Sequence, residues 1–367
     1  MRIGVIGAAG RIGRMRVQTI LENPKTSLAA VMDVNEAAAA ALAPGAPSFS
    51  DAARFFDVPM DAVAISTPPH VREALCREAY ARGLHVLTEK PLAHTLEASR
   101  NIVAAAAAAG KVLAGGFNMR YYPAFAYVKD IVGSGQLGEI DHVRVYGGHN
   151  GLANFGQEWQ YKAPQSGGGA MWDVGIHMTD MARHVMGDIT RVYGVLSERV
   201  WKIPGSEDNA MAIFHAPDGV AATYHATWTD WKGYSSVIEV YGSRGMVRGA
   251  YAPMDSLLIT MAHPGGKSRT VHNRYLDVKV NEKLKSWTHT AVKSFAAELE
   301  DFLDLVTDGS GGRIADQDAA LRAIEVAVAV RESSKTGQAV TLAPLGSAVA
   351  PSPSESAAPA SLDSSAA

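Results

Sequence analysis

A single cysteine, Cys76, occurs in the 367 residues. An internal disulfide framework is therefore excluded, and so is a metal centre built on cysteines. Cys76 lies in an alanine-rich helical stretch, where a small buried apolar role is expected. An excess of either charge is also missing. Thirty-four Lys and Arg face 37 Asp and Glu, a formal net charge of −3. That balance offers no basic footprint for nucleic acid or an anionic membrane. No apolar run approaches the roughly 18 residues of a membrane-spanning helix. The first apolar run, residues 1–6, passes straight into a glycine turn. It leaves no room for a charged segment, an apolar core and a cleavage site, so a cytoplasmic protein is expected. From residue 343 onward the chain is mostly Ala, Ser and Pro. Such a tail, 343–367, is expected to be disordered because it cannot bury enough apolar surface to offset chain entropy.

What is present is an alternation. Short apolar runs at 3–6, 28–32, 62–65, 84–87 and 112–115 are separated by helical stretches at 12–23, 36–42, 71–82 and 96–109. Continuous apolar strands between helices predict a parallel, doubly wound sheet covered by helices. Beyond about residue 120 the texture changes. One helix, 121–132, is followed by longer strand candidates at 141–148, 191–200, 209–215, 220–228, 237–241 and 246–251. Turn signals such as Pro217-Asp218-Gly219 separate them, which predicts an antiparallel meander. Two helices, 290–307 and 317–336, end the pattern, and no internal repeat is visible. The fold class expected is α/β: an N-terminal Rossmann domain (1–120), then an α+β domain with a large open, mostly antiparallel sheet (121–342).

The first loop reads Gly7-Ala8-Ala9-Gly10-Arg11-Ile12-Gly13, between a strand and a helix. Glycines there let the backbone turn tightly and approach a pyrophosphate, which then rests on the helix N-terminal amides. Asp33 ends the next strand, where an acid would take ribose hydroxyls. It would repel a 2′-phosphate, and Val34-Asn35-Glu36 supplies no arginine, so NAD is expected in preference to NADP. A third strand ends in Ser66-Thr67-Pro68-Pro69-His70. Parallel sheets bind ligands at strand C-termini. Ser66 and Thr67 offer hydroxyls, and Pro68 with Pro69 stiffens the loop. His70 either contacts the cofactor or merely begins the next helix.

Glu89-Lys90-Pro91 closes a fourth strand, and Glu89 would partly balance the lysine charge. About eighty residues later comes Gly167-Gly168-Gly169-Ala170-Met171-Trp172-Asp173-Val174-Gly175-Ile176-His177. The glycines suggest a flexible entry. On a helix, Asp173 and His177 at i, i+4 would share a face, so the aspartate could orient the imidazole and stabilise its protonated form. His177 would then be a competent base near neutral pH. Asp180 and His184 continue that face, but no third element supplies ligands, and no metal is expected. The stretch from Asn150 to Lys162 is polar and aromatic and leads into the glycine triplet. Asn150, Trp159, Tyr161 and Lys162 are candidate sugar contacts, with a second polar-aromatic loop at 228–234. Loop packing or a subunit contact is the competing role for both.

Together these motifs, with Gly116-Phe117-Asn118-Met119-Arg120, resemble the Gfo/Idh/MocA oxidoreductase family over nearly the whole chain to about residue 342. The resemblance implies that Lys90, Asp173 and His177 form the catalytic set. It implies that the strand-end residues and Asn118 contact the dinucleotide. It also implies a second domain whose open sheet face forms homodimers or homotetramers. The extra residue in the glycine turn departs from the commonest pattern. Family substrates are diverse, so the expected activity is oxidation of a secondary hydroxyl of a sugar, inositol or sugar derivative, or the reverse reduction. Two alternatives remain: glycoside cleavage or epimerisation with NAD used transiently, and non-catalytic dinucleotide sensing, which would need no base.

Overall fold

The computed structural model describes residues 1–151 and 158–345. In chain order the elements begin β1 (Arg2–Ile6), α1 (Arg11–Glu22), β2 (Ser27–Met32), α2 (Glu36–Leu42), β3 (Ser48–Phe49) and α3 (Ala52–Phe56). They continue β4 (Ala62–Ile65), α4 (Arg72–Ala81), β5 (His85–Glu89), α5 (Leu96–Ala109), β6 (Leu113–Gly116) and α6 (Pro123–Gly133). Next come β7 (Ile140–Gly148), α7 (Ala163–Ser166), α8 (Val174–Met186), β8 (Arg191–Ser197), β9 (Asn209–His215), β10 (Ala221–Thr227) and β11 (Ser235–Gly242). The remainder is β12 (Gly245–Tyr251), β13 (Asp255–Met261), β14 (Ser268–Asn273), α9 (Leu276–Lys285), α10 (Thr288–Asp308), β15 (Ala315–Asp316), α11 (Gln317–Thr336) and β16 (Val340–Thr341).

The doubly apolar runs become the parallel body of a seven-stranded sheet ordered β15-β6-β5-β4-β1-β2-β3, with β15 as an antiparallel edge. β4 is buried at all four positions, as a strand covered on both faces must be. The chain leaves β1 toward β2 on one side and returns to β4 on the other. The strand order reverses there, and ligands of such sheets bind in the crevice outside the strand C-termini. The loops after β1, β4, β5 and β6 all open on that edge.

The second sheet has nine strands, ordered β14-β13-β12-β11-β7-β10-β9-β8-β16. The meander expected from the turn signals holds for β8 to β10 and for β11 to β14. It is interrupted by β7, which inserts between β10 and β11 and runs parallel to β10. That insertion aligns the ends of β7 and β10, so residues 149 and 228 emerge side by side beneath α8. Two further elements were not legible. β14 is a polar edge strand with no fully buried residue, and only Val271 packs on the core, so it carries no alternating apolar pattern. α9 likewise buries nothing fully.

The chain also returns to the first sheet. β15 pairs antiparallel with β6. α10 lays Leu299, Phe302 and Leu303 on the core that holds Ile3, Val5 and Val17, each burial contributing roughly 1.5–3 kcal/mol. Residues near 300 are therefore part of the wall behind the glycine turn. Cys76 is buried in α4, as its surroundings suggested. Among the described residues, no helix is long and apolar enough to cross a membrane. The expected tail lies outside the described residues beyond 345, as does the 152–157 part of the polar-aromatic loop.

Candidate active site

The glycine turn is built by sterics. A Cβ on Gly13 would lie 2.0 Å from the Gly7 carbonyl oxygen, and Gly7 itself has φ +77°. α1 therefore starts hard against the end of β1. Gly10 stands at its N-cap and no side chain caps it, so the amides of Arg11, Ile12 and Gly13 open the helix toward the crevice. Asp33 sits beside this turn. Its carboxylate accepts the Ala9 N–H at 2.9 Å and the Asn35 N–H at 3.0 Å. Val34 beyond it is 92% exposed, and no cation follows in sequence. Across the crevice, Ser66 Oγ, Thr67 Oγ1 and His70 Nδ1 are buried without a hydrogen-bond partner among the described residues. Buried polar atoms are normally paired. An uncapped helix N-terminus, a turn too tight for Cβ atoms, a ribose-side acid and orphaned strand-end polar groups together fit a dinucleotide. His70 lies within a short 3-10 turn, Pro69–Val71, just before α4, with its ring edge-on to His94 at 6.5 Å.

The Glu89–Lys90–Pro91 segment is held from behind. Arg72, fully buried at the start of α4, donates to the carbonyls of Thr67, Glu89 and Pro91. One guanidinium thereby ties two strand-end loops together. Burial pulls its pKa down to about 10 against the attraction of Glu89. Sequence reasoning passed over Arg72, although a cation opening an alanine-rich helix just after a strand end was its signal. The Lys90–Pro91 peptide is cis.

The Glu89 carboxylate turns inward and accepts from Arg16 through Oε1 at 2.6 Å. Arg16 pairs in addition with Glu298 of α10 at 2.5 Å. Two buried carboxylates thus share one guanidinium. Burial and the Glu89 charge push Glu298 up to about 7 against the pull of Arg16. Asn118 is likewise buried, and its amide donates to Ser294 Oγ of α10 at 2.9 Å.

Lys90, Asp173 and His177 do converge, but not as helix spacing suggested. α8 begins at Val174. Asp173 precedes it with φ −92° and ψ −94°, outside the helical region, so the one-face argument fails. Lys90 Nζ donates to the Asp173 carbonyl at 2.9 Å and lies 3.7 Å from Asp173 Oδ1. Asp173 Oδ2 meets His149 Nε2 at 2.9 Å and the Trp228 indole N–H at 3.1 Å. Neither carboxylate oxygen is hydrogen-bonded to His177. His149 went unnoticed in the sequence. Its only signal was its place just past β7, which matters only once β7 and β10 are known to be parallel neighbours. His177 lies edge-on to Phe117 at 5.9 Å, and its Nδ1 is buried without a partner among the described residues.

Glycines 167–169 do not form the flexible entry expected of them. A Cβ on Gly169 would lie 2.1 Å from the Glu207 carbonyl oxygen. The buried Glu207 carboxylate accepts the N–H groups of Gly169 and Met171. The triplet permits close packing that fixes the backbone just before Asp173.

Electrostatics follow from this burial. Burial opposes ionisation of Asp173. The His149 hydrogen bond, the Lys90 charge and the Trp228 indole outweigh it and hold the carboxyl well below its usual range. Burial lowers Lys90 while Asp173 and Glu89 pull it back up. Burial, then the Lys90 charge, depress His177 well below the ordinary imidazole range, with Asp173 opposing. The imidazole is therefore neutral near pH 7, and Asp173 does not make it protonated. A small cleft beside Lys90 and Asp173 is lined also by Pro91, Trp159 and Gln160. Tyr161 is buried edge-on to Trp228 at 4.8 Å, whereas Asn150 and Lys162 are exposed. Asp180 is committed to Arg120 at 2.5 Å. Among the described residues no cluster of three or more His, Cys, Asp or Glu could hold a metal ion.

Comparison with known proteins agrees with this architecture. Residues 1–117 match the model described as the oxidoreductase family, NAD-binding Rossmann fold. Residues 125–248 match the GFO/IDH/MocA C-terminal domain. The inositol 2-dehydrogenase of Rhizobium meliloti (strain 1021) is 28% identical over 345 residues, 88% of this chain and 97% of that protein. The scyllo-inositol 2-dehydrogenase (NAD(+)) of Bacillus subtilis (strain 168) is 25% identical over 292 residues, 78% of this chain and 79% of that protein. A solved levoglucosan dehydrogenase, in complex with NADH and L-sorbose, shares the fold. Its TM-score is 0.80 at 22% identity, with 93% of this chain and 98% of that one covered. The glycine turn, the open strand-end crevice and the two matched domains make this chain an NAD-binding oxidoreductase that belongs to the Gfo/Idh/MocA family.

Proposed function

We propose that the protein oxidises a secondary hydroxyl of a sugar, an inositol or a sugar derivative, or reduces the matching ketone, with Lys90, Asp173 and His177 as its catalytic residues. The observation that carries this reading is the meeting, at the strand-end crevice, of a half-buried lysine, an ionised aspartate and a neutral imidazole whose Nδ1 has no hydrogen-bond partner among the described residues. NAD, when bound, supplies the two-electron acceptor. The cradle for it is Gly7, Ala9, Gly10, Arg11, Ile12 and Gly13, with Asp33 on the ribose side and Ser66, Thr67, Pro68 and His70 along the crevice. Asn118, tied to Ser294 of α10, completes that wall. The neutral His177 takes the hydroxyl proton, and Lys90 Nζ holds the oxygen as negative charge develops on it. Asp173 keeps the lysine charged and oriented. Trp159 offers an aromatic face for a ring, with Asn150 and Lys162 at the rim.

The same proposal divides the labour: the first domain binds NAD, and the second binds substrate and a further copy of the chain. Tyr193 and Val195 of β8 lie directly opposite Ile213 and Met211 of β9. All four side chains are exposed, and such a patch supports a homodimer or homotetramer in the cytoplasm. The test is a panel of inositols, aldoses and anhydrosugars with NAD, followed by nicotinamide absorbance. Absorbance growing with one of them supports the reading. Cleavage or epimerisation of a sugar with no net NADH would replace it.

A further inference from the structure

Beyond the three residues just assigned, the groups nearest the reacting centre are those holding Asp173, and one of them is ordered from several directions. His149 lies one residue past β7. Its N–H donates to the Thr227 carbonyl, and its own carbonyl accepts the Asp230 N–H, both at 3.1 Å. Its ring lies parallel to Tyr234, 6.5 Å between centroids and 4° between planes. Gly151 N–H donates to Nδ1 at 3.1 Å. A ring nitrogen that accepts must carry its lone pair outward, so in the neutral ring the proton resides on Nε2. Nε2 points at Asp173 Oδ2, 2.9 Å away. The tautomer is therefore selected by the backbone at residue 151. With Trp228 donating to the same oxygen, Oδ2 has two donors and Oδ1 is left for Lys90.

We infer that His149 is a positioning residue of the reaction proposed above: it holds the Asp173 carboxylate turned toward Lys90, and it acts on the lysine only through that carboxylate. The inference rests on the catalytic role proposed for Lys90 and Asp173. The charged and titratable groups facing Asp173 are Lys90, His149 and His177, with the Tyr161 and Tyr234 hydroxyls. His149 is the one that both donates to the carboxylate and has its proton placed by a backbone amide. A histidine that merely anchored its loop would stabilise the fold without altering the titration of Asp173.

The test is carboxyl NMR titration of the resting full-length protein, with the Asp173 resonance assigned by its absence in Asp173→Asn. Wild type is compared with His149→Phe, which keeps the ring over Tyr234 but removes both nitrogens, and with His149→Gln, whose amide can donate from a similar place. A hydrogen bond to a charged group corresponds to roughly one to two pH units. The Asp173 midpoint is expected to rise by about that much in His149→Phe and to return part of the way in His149→Gln. Should His149→Phe fail to fold, Trp228→Phe and His149→Gln give the same reading from the two donors. An Asp173 midpoint unmoved in the folded variants overturns the inference. With a substrate in hand, kcat in His149→Phe should fall on the order of ten- to a hundredfold. The acid limb of its pH profile should move upward and NAD affinity should stay unchanged. Wild type that turns over no sugar or polyol would overturn the proposed reaction instead, while the titration still decides the role of His149.

Discussion

Glu298→Gln tests the most unusual electrostatic arrangement in the protein. Arg16, Glu89 and Glu298 are all buried, so one positive charge faces two potential negative ones. The surplus is relieved by a proton, and Glu298 carries it, with a pKa pushed up to about 7 from an ordinary 4.5. The unfolded chain releases that proton near pH 4.5 and the native protein near 7. Between those values the native state binds more protons, so stability falls as pH rises. A difference of about 2.5 units corresponds to about 3 kcal/mol lost across the window. Glutamine imitates the protonated carboxyl, so Glu298→Gln should be close to wild type at pH 4.5. Near pH 8 it should be more stable by up to about 3 kcal/mol. Urea unfolding followed by circular dichroism at several pH values between 4.5 and 8 measures this directly. The reasoning fails if the variant loses stability equally at both ends, because Glu298 would then be an ionised partner that Arg16 needs.

Three further outcomes are expected. NAD should bind at least roughly tenfold more tightly than NADP, about 1.4 kcal/mol, and Asp33→Ala should narrow the gap in a fluorescence titration; equal affinities in wild type would remove the role given to Asp33. His177→Ala should cut turnover on the order of 10²–10⁴-fold with NAD affinity near wild type, and Lys90→Ala should cost at least as much; near-normal turnover of His177→Ala across pH would transfer the proton-accepting role to Lys90. Gly13→Val should abolish NAD binding in calorimetry, because the added atoms meet the Gly7 carbonyl 2.0 Å from the first of them; retained binding would show that the turn can open without losing the cradle.

The sequence by itself determined the elements whose burial is uniform or strictly periodic. β4, α2, α5, β9 and α11 lie at the residues expected, since a strand covered on both faces and an amphipathic helix must write their surroundings into consecutive residues. It also made the glycine turn and Asp33 legible, because a glycine-rich turn and an acid at strand ends suit a dinucleotide, whereas the grouping of Lys90, Asp173 and His177 came as an implication of the family resemblance. Polar edge strands such as β14, which has no fully buried residue, carry no such pattern and were illegible. Tertiary structure alone decided what depends on distant neighbours. The parallel pairing of β7 with β10 brings His149 and Trp228 to Asp173. The return of α10 places Glu298 on Arg16 and Ser294 on Asn118. Arg72 reaches three carbonyls from two loops. Asp173 lost the helical partnership that i, i+4 spacing offered, because the close packing of Gly169 on Glu207 fixes the backbone before the helix begins. Local spacing describes what a helix could do, and the contacts around Asp173 were set by segments 24 and 55 residues away, which no local pattern encodes.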